Sequence, residues 1–225
     1  LNYKDNMVLL RKMLQTIIEK LFGTLCVQVG DKMVDLSGEW PSVSFRDLIL
    51  QYANIDIHVY NTKEKLLEQI RTLHIEIDSE VPLENLGYGN LVDQLYKKVA
   101  RPHLVNPVFL VEHPISLSPL ARANDDNPEI TDRFQLVING AEIINAYSEL
   151  VDPQEQESRL EEQARLKANG DEEAMPMDYD YIHAMEYGMP PISGWGMGID
   201  RLIQLLTASE NIKDVVLFPL MKPRD

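Results

Sequence analysis

The sequence predicts an α+β fold with a largely antiparallel sheet, and two observations carry that reading. Strand-like runs stand on both sides of a helix-rich stretch over 45–101, with further helices between the later strands. An Asn139-Gly140 pair joins two long alternating runs, and this pair is the strongest short hairpin signal because both residues tolerate positive φ.

The elements follow in order. Met7, Leu10, Met13, Leu14, Ile17, Ile18 and Leu21 recur at helical spacing over 6–22, and Gly23 supplies the stop. Residues 24–36 read as two short strands around Gly30-Asp31. Ser44 with Asp47 resembles a capping box before Leu48 and Ile49. Leu66, Leu67, Ile70 and Leu73 share one face over 62–74. Leu91, Val92, Leu95 and Val99 do so over 90–100, with Pro102 closing that helix. Strand character returns at Pro107–Val111. The hairpin then pairs Arg133–Ile138 with Ala141–Leu150. A long polar helix opens with Asp152 as N-cap and Pro153 at N1, and it ends near Gly170. A short helix over 178–187 precedes Gly188. A glycine-alternating strand, its helix and an apolar run Val215–Pro219 close the chain.

Composition excludes some functions and narrows others. An apolar content of 44% over 225 residues is enough for a full core, and no run is long and apolar enough for a membrane helix. A formal net charge of −15 speaks against non-specific nucleic-acid binding by this segment, which needs clustered cations. The single cysteine, Cys26, cannot form an internal disulfide and fits a reducing, cytoplasmic setting. It lies in the apolar run Leu25-Cys26-Val27 and reads as a small core residue. The acidic run over 155–173 reads as a solvated helix and loop. Five scattered histidines lack metal spacing and read as structural. The chain opens on Leu1, which suggests a piece of something longer.

Two patterns carry chemistry. Gly194, Gly196 and Gly198 alternate into Asp200-Arg201 at the start of an apolar helix. Such a strand has one face without side chains, against which a flat ring can lie, and Arg201 can then reach the phosphate tail of the same ligand. A tightly packed buried strand is the other reading. In the hairpin, strict pairing sets Val137 opposite Glu142 and Gln135 opposite Ile144, with Gln135 and Glu142 on one face. A carboxylate and an amide oxygen there could hold Mg²⁺, or they could be an ordinary solvated face. Asn145, Tyr147 and Glu149 share a face by period two and could read a small molecule with a positive end. Strict alternation puts them opposite Glu142, so a common site requires a bulge between 142 and 145.

Several segments resemble one family closely. They are Asn127–Phe134, Glu142–Leu150, Asp152-Pro153, Gly170–Met175, Glu186–Pro191, Gly194–Arg201 and Asn211–Pro219, and they are similar to the C-terminal half of bacterial-type class II lysyl-tRNA synthetases. The resemblance implies a class II antiparallel sheet flanked by helices, with a small helical insertion. It divides the chain into 1–44 (partial catalytic domain), 45–101 (helical insertion) and 102–225 (catalytic domain with the third class II motif). It further implies ATP-dependent activation of lysine to lysyl-adenylate and transfer to tRNA(Lys), with Mg²⁺ as cofactor. Arg201 and the glycines 194, 196 and 198 would bind ATP, with Arg201 on the phosphates as the catalytic arginine. Asn145, Tyr147 and Glu149 would form the lysine pocket, with Glu149 on the ε-ammonium, and Glu142 would ligate the metal.

Gln135 stands where the family usually has a second metal-binding glutamate, which implies weaker or altered metal binding. The family's anticodon-binding domain, through which it mainly holds tRNA, and its first two motifs, one of which builds the homodimer, are expected upstream. The chain alone is therefore expected to be inactive. A class II paralogue that lysylates a protein and a non-catalytic module on the same fold are the rival readings. The aspartyl and asparaginyl branch is disfavoured by Glu149, which would repel an acidic side chain.

Overall fold

The computed structural model describes residues 2–219. Helix α1 (Tyr3–Phe22) starts at a reciprocal capping box between Asn2 and Asp5 and buries Leu10, Leu14 and Ile18, a single stripe at i, i+4 and i+8. Strands β1 (Cys26–Val29) and β2 (Lys32–Asp35) form a separate antiparallel hairpin. Cys26 is exposed, against the expectation of a core residue. Alternation in a two-stranded ribbon turns Val27 and Val34 inward, so their neighbour on the ladder must face out.

The main sheet has the order β3-β4-β5-β6-β7, from β3 (Ser42–Ser44), β4 (Val108–Val111), β5 (Arg133–Ile138), β6 (Ala141–Ser148) and β7 (Ser193–Met197). Among the described residues only β3 and β4 run parallel in this sheet, and its other pairs are antiparallel. The sheet faces two different cores. Phe109, Phe134, Leu136, Ile144 and Ala146 pack with α1 and with Leu202 and Leu205 of α7 (Ile199–Thr207). On the other face, Val108, Leu110 and Val137 join the core of α2 (Phe45–Ala53), α3 (Lys63–Thr72) and α4 (Tyr88–Val99). The helices over 45–101 therefore share a core with the sheet. A third, small cluster of Leu160, Ile182 and Met185 joins α5 (Pro153–Ala168) to α6 (Tyr179–Glu186). Asp152 caps α5 as expected, accepting from the Gln154 and Glu155 N–H groups at 2.9 and 3.2 Å.

One part of the acidic run behaves unlike a solvated loop. Asp171 is fully buried and accepts from Gly87 N at 2.6 Å and from Asn90 Nδ2 at 2.9 and 3.0 Å. Gly87 is the N-cap of α4 and has no side chain, so the carboxylate that satisfies the helix start comes from 84 residues away.

Candidate active site

The hairpin carries the site, and a single extra residue decides what it presents. Asn139 and Gly140 adopt φ of 47° and 71°, the two left-handed positions of a type I′ turn. Ile138 then pairs with Ala141 and Val137 with Glu142, as strict pairing requires. The register shifts at Leu136/Val137: Leu136 pairs with Ile144 and Gln135 with Asn145, leaving Ile143 unpaired. Gln135 is thus opposite Asn145 and not Ile144. The cause is packing: Ile143 and Ile144 are both buried in the same core, so two consecutive side chains must leave the site face. This is the bulge between 142 and 145 that a common site requires. It brings Glu142, Asn145, Tyr147 and Glu149 to the face that carries Arg133 and Gln135.

The next strand extends that face. Gly196 pairs with Asn145 and Gly194 with Tyr147. A Cβ on Gly196 would meet nothing within 4 Å, so this part of the sheet is a bare, open surface. A Cβ on Gly194 would lie 3.3 Å from Glu149 Oε1, so the missing side chain is what lets the carboxylate approach the strand. Gly198 lies past the strand, at the N-cap of α7, beside the Arg201 side chain.

Glu149 follows β6 directly. Its carboxylate has no hydrogen bond or ion pair among the described residues, and burial raises its pKa above the ordinary carboxylate value. Two phenols feel its charge. Tyr147 and Tyr181 are both held above the ordinary tyrosine range, first by burial and then by Glu149. Tyr181, from α6, stands near enough to feel the Glu149 charge, and no spacing in the sequence marks it.

At the other end of β6, Glu142 Oε2 accepts from Gln135 Nε2 at 2.7 Å. Arg201 Nη1 donates to the Glu142 carbonyl at 3.1 Å and stands 4.0 Å from Oε1. His113, fully buried beside Phe45, is held well below its ordinary pKa by burial first and by the Arg133 charge second, with Gln135 opposing them.

Two depressions open on this face. A hollow of about 190 Å³ is lined by Leu117, Ser118, Arg133, Asn145, Tyr147 and Met175. A wider one of about 540 Å³ is lined by Lys97, Glu142, Arg201 and Gln204, among others. Asn145 and Tyr147 thus line the first hollow, Glu142 and Arg201 (from α7) the second, and Glu149 lines neither. A further cavity, between α2 and the 112–130 segment, contains Arg46, but Asp56 already neutralises it through two hydrogen bonds of 2.7 and 2.6 Å.

The metal expected from the resemblance can be tested on these residues. Among the described residues no three His, Cys, Asp or Glu side chains gather as a ready cage. Glu142 is one-third exposed and can give one hard oxygen ligand, which suits Mg²⁺ completed by water and phosphate. Gln135 turns its NH₂ toward Glu142, so its oxygen would face a shared cation only after an amide flip.

The family model for class II tRNA synthetases (D, K and N) matches residues 1–222. Among curated relatives, the lysine–tRNA ligase of Thermosipho africanus is 43% identical over 99% of this chain and 43% of its own length. That of Porphyromonas gingivalis is 42% identical over 98% of this chain and 38% of its own length. That of Enterobacter sp. is 40% identical over 99% of this chain and 43% of its own length. The chain spans about two fifths of the length of these relatives.

Proposed function

The chain belongs to the class II tRNA synthetases of the D, K and N group, and from that premise we propose that the complete gene product containing it is a lysine–tRNA ligase. It joins lysine to ATP, releases pyrophosphate, and passes the lysyl group to the 3′ end of tRNA(Lys). The observation that carries the choice of lysine is Glu149: a desolvated carboxylate without a cation among the described residues, whose charge Tyr147 and Tyr181 both feel. An ε-ammonium restores the missing charge, and its aliphatic stem packs on the rings. The relatives named as lysine–tRNA ligases agree with this choice.

The chain's residues then divide the labour. Asn145, Tyr147 and Glu149 hold lysine. The open strip at Gly194 and Gly196 takes the flat base of ATP, and Gly198 lets Arg201 lie close to the helix start and reach the phosphates. The lysine carboxylate oxygen bonds to the α-phosphorus while the bond to pyrophosphate breaks, so no protein nucleophile is needed. Positioning and charge neutralisation lower the barrier. Glu142, with Gln135 after its flip, would hold Mg²⁺, whose chemistry there is to neutralise the polyphosphate.

The relatives' greater length supports assigning tRNA binding mainly to other parts of the gene product, and the family supports a cytoplasmic homodimer. Among the described residues no helix is long and apolar enough to cross a membrane. ATP–pyrophosphate exchange by the complete gene product tests the reading. Exchange should depend on lysine and be absent with aspartate or asparagine; equal exchange with aspartate would overturn it.

A further inference from the structure

Arg133 belongs to neither pattern that the sequence marks, yet it touches the pocket and the framework at once. Its Nε donates to Asn145 Oδ1 at 3.0 Å. Its Nη1 donates to the Leu117 carbonyl at 3.0 Å and to Ser118 Oγ at 2.9 Å. No carboxylate forms an ion pair with it among the described residues. A guanidinium has donors only, so the Asn145 atom facing it must be the oxygen. The amide orientation is then fixed by its partner, and Nδ2 is the end left toward the hollow that Asn145 lines with Tyr147. Nδ2 has no hydrogen bond to protein among the described residues. Asn145 therefore meets a ligand as a donor.

The seat of Arg133 is itself held down. Leu117 and Ser118 end a short 3-10 turn, Ile115–Leu117. A Cβ on Gly89 of α4 would lie 2.5 Å from Ser116 O, so the helix backbone rests directly on that turn. Asp171 pins the start of α4, and Arg159 Nη1 donates to the Ala121 carbonyl at 2.6 Å on the far side of the segment. A continuous run of contacts links the helices over 45–101 to the amide of Asn145.

We propose that Arg133 is a positioning residue, which fixes Asn145 as a hydrogen-bond donor to the bound amino acid from a seat that Leu117 and Ser118 provide beneath helix α4. This rests on the reading of the pocket as the lysine site.

The test uses the complete gene product. Arg133→Lys keeps the charge but loses the planar fork that spans Asn145 and the turn. It should raise KM for lysine roughly tenfold, with kcat and KM for ATP changing less than about twofold. Asn145→Ala should do the same. The double variant should be no worse than Asn145→Ala by more than about twofold, because both substitutions remove one interaction. Ser118→Ala removes one bond of the seat and serves where Arg133→Lys does not fold. It should raise KM for lysine about threefold, again without adding to Asn145→Ala. Additive losses, or an unchanged KM for lysine in these variants, would overturn the proposal while lysine-dependent exchange by the wild type left the function standing. A wild type without lysine-dependent exchange would overturn both.

Discussion

Glu142 and Glu149 lie at the two ends of one strand face, seven residues apart, and the protein treats them in opposite ways. Glu142 is supplied with an amide donor and stands near a guanidinium. Glu149 has a bare glycine beside it, two phenols that feel its charge and, among the described residues, no cation. The difference teaches where selectivity resides. A carboxylate already satisfied by protein gains little from a further partner. One that is desolvated and unpaired gains most from the single ligand group that matches it. In the proposed reaction the 149 end chooses the amino acid, and the 142 end handles phosphate, which every such reaction shares.

The sharpest way to break this contrast is Glu149→Gln. It should lower kcat/KM for lysine about a thousandfold, the scale on which removing one member of a desolvated charge pair acts, while KM for ATP barely moves. Acidification should mimic it. Burial raises the Glu149 pKa, so lysine affinity should fall at a pH above the ordinary 4.5, and the glutamine variant should lack that limb. Stability should run the other way. A carboxylate with a raised folded-state pKa favours the fold below its unfolded pKa and loses that advantage as pH rises through the folded one. At neutral pH, then, Glu149→Gln should raise the thermal midpoint of the unliganded protein; a lowered midpoint would mean that the carboxylate has a partner of its own.

Arg201→Gln should act next most strongly, lowering kcat about a hundredfold with little effect on KM for lysine, since it removes a donor to developing phosphate charge. If KM for lysine rose as much as kcat fell, the two ends would not be separate. Gly194→Ala should cost less. Its Cβ would stand 3.3 Å from Glu149 Oε1 and push the carboxylate by a few tenths of an ångström, so KM for lysine should rise about fivefold. Gly196→Ala, with open space around it, is the control: KM for ATP should respond and KM for lysine should not. The smallest effect belongs to Gln135→Glu, which places a second carboxylate against Glu142. Half-saturating Mg²⁺ in the exchange assay should fall a few-fold, and the metal-free protein should melt lower because like charges then meet. No change in either measurement would remove Gln135 from the metal site.

Much of this was legible in the residues themselves. Asn139-Gly140, Asp152-Pro153 and the alternating glycines each state a local backbone requirement, and local requirements survive folding. Glu142, Asn145, Tyr147 and Glu149 could be picked out as chemistry, and the need for a bulge between them followed from period two alone. What was hidden depended on distant partners. Asp171 sits in a run of acidic residues, and only Gly87 and Asn90, far away in sequence, make it a buried cap. Arg133 reads as an ordinary strand residue until Leu117 and Ser118 stand beneath it. Cys26 looks apolar by its neighbours, but a two-stranded ribbon has an outer face. The metal-binding reading of Gln135 likewise turns on which end of an amide faces Glu142, a detail that spacing cannot express.

The doubled isoleucine at 143–144 has one more consequence. It acts as a half-step in the weave of the hairpin, and everything on its C-terminal side inherits the offset. Pairing the same residues by unbroken alternation, with Ile143 kept and no bulge, would turn Glu142 to the face opposite Asn145 and toward oil. Anyone grafting this hairpin onto another sheet must carry the two-against-one pairing at 143–144 with it, because that apparent imperfection keeps Glu142 in phase with Asn145, Tyr147 and Glu149.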